Sequence, residues 1–383
     1  MSCVELFDKV DGLKEKYFKV WEDVCNIESP TKYKEGVDAV GQYFARMAEE
    51  KGFKVEYFRH DVSGDVVCIT MNPDAPLPPL TFSAHMDTVH PLGMFGTPAV
   101  HKDEEKIYGP GVADCKGGLV AAFMAMEVLQ DAGFNKRPIM FLLQSDEEGG
   151  SMGSKKATIG YMCEKAKDSI GFINLEGYAP GYITIARKGI LSYRFDVEGQ
   201  ETHSSRCAVE GANAIIDAAH KMLELDKLKD DGGITCNCAI VSGGTVVNTV
   251  AGHCSFSVNF RYATQEQQAW IENYVKELAA TVHVPGCTCT VEKISMRVSM
   301  EWNEKNENLV NELNRIFEEN GLPVLTPRRV KGGADSADTT VYGIPSVDSL
   351  GVRGGGSHSI KEFAWLESLP DAAKRLVAIA MGM

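Results

Sequence analysis

The stretch TFSAHMDTVHPLG, residues 81–93, decides how this chain is read. A strand-like run over 79–85 ends in His85, with Asp87 two residues on, just where the chain turns into a Pro/Gly loop. Residues two apart in extended backbone point to the same side, so the two side chains can act together at the carboxyl end of a strand. Open α/β sheets bind their ligands at that edge. A metal-binding imidazole commonly gives its other ring N–H to a carboxylate, a role open to Asp87. His-x-Asp alone is more often a surface hydrogen bond, so the reading rests on its company.

Working outward, Val37, Val40, Phe44 and Met47 predict a helix over 34–51, closed by Gly52. Short strands are expected at 54–59 and 66–71, a helix at about 117–132, and buried strands in the apolar runs 138–145 and 171–176. Strands alternating with helices imply an α/β fold whose mostly parallel central sheet is covered by helices. Near residue 187 the pattern changes. Leu191, Tyr193, Phe195 and Val197 alternate with polar residues, and a helix follows within 211–228. Strands at 233–241 and 253–261 come next, then a helix at about 265–280 with Thr264 and Gln267 placed for a capping box, and a strand at 287–293. This β-α-β-β-α-β order, with one-sided strands, is the ferredoxin-like α+β plan. The expected organisation is a first domain in two parts, 1–186 and 296–383, with a compact domain inserted at 187–295, which the resemblance named below makes a catalytic domain with a lid or dimerisation domain. The chain should end in a helix over 364–381.

The chain has 383 residues, 44% hydrophobic and 24% charged, with a formal net charge of −14. That charge argues against nucleic acid as a partner. No apolar run approaches a membrane span. Residues 1–18 alternate charge with apolar residues and read as an amphipathic helix, not a signal peptide. Eleven scattered cysteines, with no export signal, are expected to be reduced thiols in the cytoplasm. The pairs Cys236/Cys238 and Cys287/Cys289 lie at alternate positions beside Ile234, Ile240 and Val291, and are read as inward strand faces ahead of zinc sites.

Four more places supply acids or imidazoles at strand ends or in glycine loops. Asp114 lies in YGPGVADCKGG, Glu147 and Glu148 in SDEEGG, Glu176 in NLEG, and His358 in GGGSHSIKE. Two histidines and three carboxylates suit a pair of borderline divalent ions, with zinc the natural candidate and one carboxylate bridging. In order from about residue 80 to 362, these motifs resemble the co-catalytic zinc metallopeptidase family of glutamate carboxypeptidase, aminoacylase, succinyl-diaminopimelate desuccinylase and tripeptidase. The wording is nearest the glutamate carboxypeptidase branch.

The resemblance implies that His85 and Glu176 hold one zinc, Glu148 and His358 the other, and Asp114 bridges them, with cobalt or manganese as substitutes. Asp87 would orient His85, and Glu147 would be the general base acting on a metal-bridging hydroxide. A cis peptide is implied at Asp114–Cys115. His203, in an HSS…GANAI setting, Asn248, Arg261 and Gly356 are implied to contact substrate, and 331–338 resembles the family's glycine-rich substrate loop. The implied partners are a small peptide or N-acyl amino acid and a second copy of the chain, paired through the inserted domain. The implied reaction is hydrolysis of an amide next to a free carboxylate. Deacylation and di- or tripeptide cleavage on the same site are alternatives, and a catalytically silent binding protein is one of another class. A phosphate site in GPGVADCKGG lacks the Gly-Lys-Ser/Thr ending. Cys115 reads as a buried spacer and not as a nucleophile, and His90, His101 and His253 as structural or surface residues.

Overall fold

The computed structural model describes residues 3–230 and 232–383. The first two residues of the expected amphipathic helix lie outside them; the rest form the helix Cys3–Asn26. The chain divides into two compact units. The first holds the chain up to Ala186, Trp302–Arg329 and Ala334–Met383; the second is Arg187–Glu301 with Val330–Gly333.

The first unit is built on a six-stranded sheet in the spatial order 54–58, 66–71, 139–144, 80–85, 172–174, 346–347. The last four of these run parallel to one another, and the first two pairings are antiparallel. Both faces of the inner strands are covered, which is why 66–71, 139–144 and 172–174 read as largely apolar runs. Val67, Ile69, Phe82, Phe141 and Leu143 join one core with the helices Cys3–Asn26, Lys34–Glu50, Lys116–Asp131 and Ser368–Gly382. Val66, Cys68, Leu142 and Phe172 face the opposite way, against Ile159 and Met162 of the helix Ala157–Ala166.

The helix Lys116–Asp131 lies against both Cys3–Asn26 and Ser368–Gly382 as well as strand 80–85. It is therefore buried on every side, and its sequence is apolar all round. Its one mid-helix acid, Glu127, is matched from neighbouring elements. Lys16 Nζ donates to it at 2.6 and 2.7 Å, Tyr17 donates its hydroxyl, and Lys51 Nζ lies 3.0 Å away.

The second unit is a four-stranded antiparallel sheet in the order 235–243, 253–262, 189–198, 288–297, with the helices Ala214–Asp226 and Gln265–Ala280. This is the ferredoxin-like plan. Thr264 accepts from the Gln267 amide at 3.2 Å, and Gln267 Oε1 accepts from the Ala263 amide at 2.7 Å, a capping box shifted outward by one residue. Cys236 and Cys287 sit in this unit's core, with Cys238 and Cys289 packed against it. All eleven cysteines are free.

Two expectations need correction. Ile240 is exposed, because the ladder slips between Cys238 and Ile240 and sets Ile240 opposite Ser257. A bulge changes the phase of the side-chain alternation, so the inward pattern stops at Cys238. The C-terminal helix begins at Ser368, and Phe363–Trp365 is a short strand paired with 106–108.

Candidate active site

Strand register brings the acids and imidazoles of the first unit together. His85 ends its strand opposite Gln144, which ends the next, and Ser83 lies opposite Asn174 on the other side. Beyond Gln144 the chain reaches Glu147 and Glu148 almost at once, and beyond Asn174 it reaches Glu176. All three segments therefore leave the same edge of the sheet.

His85 Nε2 lies 3.2 Å from Asp114 Oδ1 and 3.7 Å from Glu176 Oε1. His358 Nε2 lies 3.3 Å from Asp114 Oδ2 and 3.3 Å from Glu148 Oε2. Asp114 thus turns one oxygen toward each imidazole. Zinc bonds of about 2.0–2.2 Å in a tetrahedron put donor atoms roughly 3.3–3.6 Å apart. The observed separations of 3.2–3.7 Å lie close to the edges of such tetrahedra, and the imidazole and carboxylate donors are those zinc accepts. Donor atoms of His85, Asp114 and Glu148 lie within 4.8 Å of one another, as do those of His85, Cys115 and Glu176.

The charges in this cluster are strongly perturbed. Burial raises the Glu176 pKa, and burial likewise pushes Glu148 up to about 7. Burial acts to raise Asp114 too, but hydrogen bonds from His358 and His85 outweigh it and hold its carboxyl below the usual range. Asp114 and then Glu148 raise His358 to about 10. Burial opposes the charge on His85, yet Cys115, Asp114 and Asp87 together raise its pKa well above the ordinary value. The acids thus favour protonated imidazoles. A divalent cation offers the same acids a denser positive charge, and needs the imidazoles neutral.

The supporting contacts are specific. The turn carrying the two glutamates is fixed from both sides. Asp87 Oδ1 and Oδ2 accept the amides of Glu147 and Glu148, each at 3.1 Å, and Thr31 donates to Oδ2 at 2.7 Å. Asp146 accepts from the Ser154 amide at 3.0 Å and from Thr158 Oγ1 at 2.5 Å. The backbone here is a turn, not a strand, with the Gly150 amide bonded to Glu147 O at 2.7 Å. Extended backbone would have aimed consecutive glutamates to opposite sides; the turn removes that constraint. The ring Nδ1 of His85 lies 2.9 Å from the main-chain oxygen of Asp87 and 3.4 Å from its carboxylate. Either partner fixes the ring so that Nε2 faces the acids.

Sequence reasoning passed over Glu362, although it ends the motif GGGSHSIKE. Its carboxylate is fully buried. Oε1 accepts the amides of Ala113 and Asp114 at 3.0 Å each, and Oε2 accepts the Gly111 amide at 3.2 Å and contacts His90 Nε2 at 2.7 Å. This one carboxylate therefore pins the loop that presents Asp114. Thr31 and Asp146 were also missed; they are common polar residues, and only their buried hydrogen bonds mark them.

Cys115 is buried, and its Sγ takes the His85 amide at 3.1 Å. Burial raises its pKa well above the ordinary value, which suits an inert spacer and not a nucleophile. The Asp114–Cys115 peptide is cis. Gly356 has φ +70°, and a Cβ there would sit 2.4 Å from Lys361 O, so only glycine fits.

The remaining candidates lie in the second unit. His203 caps the short helix Ser204–Arg206, its Nδ1 accepting the Ser205 amide at 3.3 Å. The Ser204 amide bonds to Asn248 O at 2.9 Å, so His203 and Asn248 are brought side by side. Arg261 is half-buried, with Nε donating to Asn259 Oδ1 at 3.2 Å. Burial, and then the nearby Arg297, lower its pKa. His253 is an exposed residue near Asp196 and Glu198. The exposed His101 stacks on Tyr108, and His90 is buried against Glu362.

Comparison with known proteins finds relatives of this chain. The model of peptidase family M20/M25/M40 matches residues 81–382. Carboxypeptidase G2 of Pseudomonas sp. (strain RS-16) is 26% identical over 372 residues, covering 95% of this chain and 88% of the relative. A succinyl-diaminopimelate desuccinylase of Rickettsia felis is 26% identical over 285 residues, covering 68% of this chain and 73% of the relative. Among solved structures, aminopeptidase PepT from Bacillus cereus superposes with a TM-score of 0.80 at 22% identity, covering 96% of this chain and 98% of its own.

Proposed function

The chain belongs to peptidase family M20/M25/M40, and on that premise we propose that it is a di-zinc exopeptidase of carboxypeptidase type. It is a hydrolase of peptide or acyl-amino-acid amide bonds. The finer reading is that it cleaves an amide next to a free carboxylate in small peptides or N-acyl amino acids. The observation that carries the di-zinc reading is Asp114, with one oxygen 3.2 Å from His85 and the other 3.3 Å from His358. A carboxylate shared in this way suits two ions, one with His85 and Glu176, the other with His358 and Glu148.

Divalent ions at such a pair supply Lewis acidity and lower the pKa of a water to about 7. In this reading the chain's own residues do the rest. Glu147, on the turn that Asp87 anchors, takes the proton of the attacking water and hands it to the leaving amine. Such acid–base help is worth about 10²–10⁴-fold. Asp87 acts on both sides, holding the His85 ring and the amides of Glu147 and Glu148. His203, Asn248 and Gly356 contact substrate, and Arg261 receives its carboxylate. The neighbouring Arg297 supports that last role, since an anion relieves the repulsion between two guanidinium groups.

The protein is proposed to be a homodimer through the second unit. Its edge strand 235–243 leaves Ile240 and Val241 exposed, and the helix Ala214–Asp226 exposes Ile216 and Leu223. The free thiols support a cytoplasmic setting. No helix among the described residues is long and apolar enough to cross a membrane. The desuccinylase relatives favour one second reading, removal of an acyl group from an amino acid on the same site.

The test combines metal removal with one substitution. Dialysis against a chelator should stop hydrolysis of C-terminal glutamyl peptides and N-acyl amino acids, and zinc should restore it. Glu147→Gln should lower kcat by about 10²-fold or more while metal content by elemental analysis stays normal. Full activity in metal-free protein, or native kcat in the variant, would contradict the assignment.

A further inference from the structure

Beside Glu148, within the first unit, lies a cavity of about 520 Å³. It falls in the roughly 300–1,000 Å³ range of small-molecule pockets. Its walls include Pro30, Val62, Val89 and Met152, and Glu148 lies among them. Val62 is 67% exposed, Val89 39% and Met152 38%. These three come from separate segments: the loop before strand 66–71, the loop after strand 80–85, and the turn after strand 139–144. Single exposed apolar residues need no explanation, but three that converge on one cavity do. Thr31 lies on the same wall and donates to Asp87, so the cavity is continuous with the contacts that hold the two glutamates.

We propose that this cavity receives an apolar side chain, aliphatic or aromatic, from the substrate residue on the acyl side of the scissile amide. The inference rests on the reading that Glu148 belongs to the catalytic metal pair. Glu148 on its wall makes the occupant a part of the substrate, because a group seated there lies next to the reacting centre. The acyl side follows because Asp146 and Glu148 on the wall disfavour the residue that bears the free carboxylate. Lys32, also on the wall, adds an apolar stem. Desolvation of the apolar walls supplies the selectivity: one methylene in such a pocket is typically worth about 10–200-fold in specificity.

The test uses zinc-loaded protein and a dipeptide series X-Glu in which X is Gly, Ala, Leu, Phe, Asp or Lys. Leu or Phe should exceed Gly in kcat/KM by about tenfold or more, mostly through KM. Met152→Asp and Val62→Asp, both at exposed positions, should cut the Phe-to-Gly ratio about tenfold. Leu77→Asp, at an exposed apolar position outside the cavity, should leave that ratio alone. Calorimetric binding of the same dipeptides to the Glu147→Gln protein should show the same order without turnover. A Phe-to-Gly ratio near one, or a ratio that both cavity variants leave unmoved, overturns the pocket. Loss of hydrolysis across the whole series, with the binding order intact, overturns the catalytic reading and leaves the pocket standing.

Discussion

Glu362 accepts from three amides of one loop, so Glu362→Gln would set an –NH₂ group against at least one N–H donor. The loop carrying Asp114 should then lose its position while the fold survives. A loss of about 10–100-fold in zinc affinity or activity is expected, as for other groups that orient metal ligands. Metal titration calorimetry reads it; native affinity in the variant would remove Glu362 from this role. Glu127 gives a pH test away from the metal site. Burial opposes its charge, but Lys16, Tyr17 and Lys51 outweigh that and lower its pKa. A lowered folded pKa means stability that is present above the unfolded value of about 4.3 and lost as pH falls through the folded value. Urea unfolding should show Glu127→Gln less stable than wild type at pH 7, with the gap closing toward pH 3. A gap that stays constant across that range would count against the linkage.

Helices and strands meet the site through close packing as well as through hydrogen bonds. Gly118 opens the helix Lys116–Asp131 against the strand end that carries Glu176. A Cβ at Gly118 would sit 2.4 Å from the main-chain oxygen of Leu175. Backbone cannot step aside as a flexible side chain can, so Gly118→Ala must move Leu175 and with it Glu176. Overpacking of this kind costs about 1–3 kcal/mol. We expect lower thermal stability together with weaker zinc binding, read by calorimetry on one preparation; weakened stability with unchanged zinc affinity would separate the packing from the site. In the second unit, Lys221 and Asp217 form a buried pair 3.3 Å apart on one helix, and Asp217 also accepts the amides of His283 and Val284. That pair explains two charges on an otherwise inward helix face.

For the whole molecule, the exposed apolar residues of the second unit predict self-association. Sedimentation equilibrium should report a dimer at micromolar concentration, and Ile216→Glu combined with Leu223→Glu should shift it to monomer. A wild-type monomer at that concentration would exclude the pairing. The charge of −14 is no barrier, because charges beyond about 8–10 Å are largely screened at physiological salt.

The sequence by itself determined the α/β class, the ferredoxin-like insert and the family. Burial on both faces writes a strand as an unbroken apolar run, burial on one face writes it as an alternation, and both patterns are local. As candidates, His85, Asp114, Glu148, Glu176 and His358 were legible because each stands where a strand ends or a glycine loop turns. What only the tertiary structure decided was which polar groups meet. Glu362 reaches Asp114 from 248 residues away along the chain, and Asp87 holds amides in a turn 60 residues on. Nothing in local periodicity encodes such contacts. The bulge that turns Ile240 outward was hidden for a related reason: register is a property of two paired strands, and one strand's sequence carries only its own half.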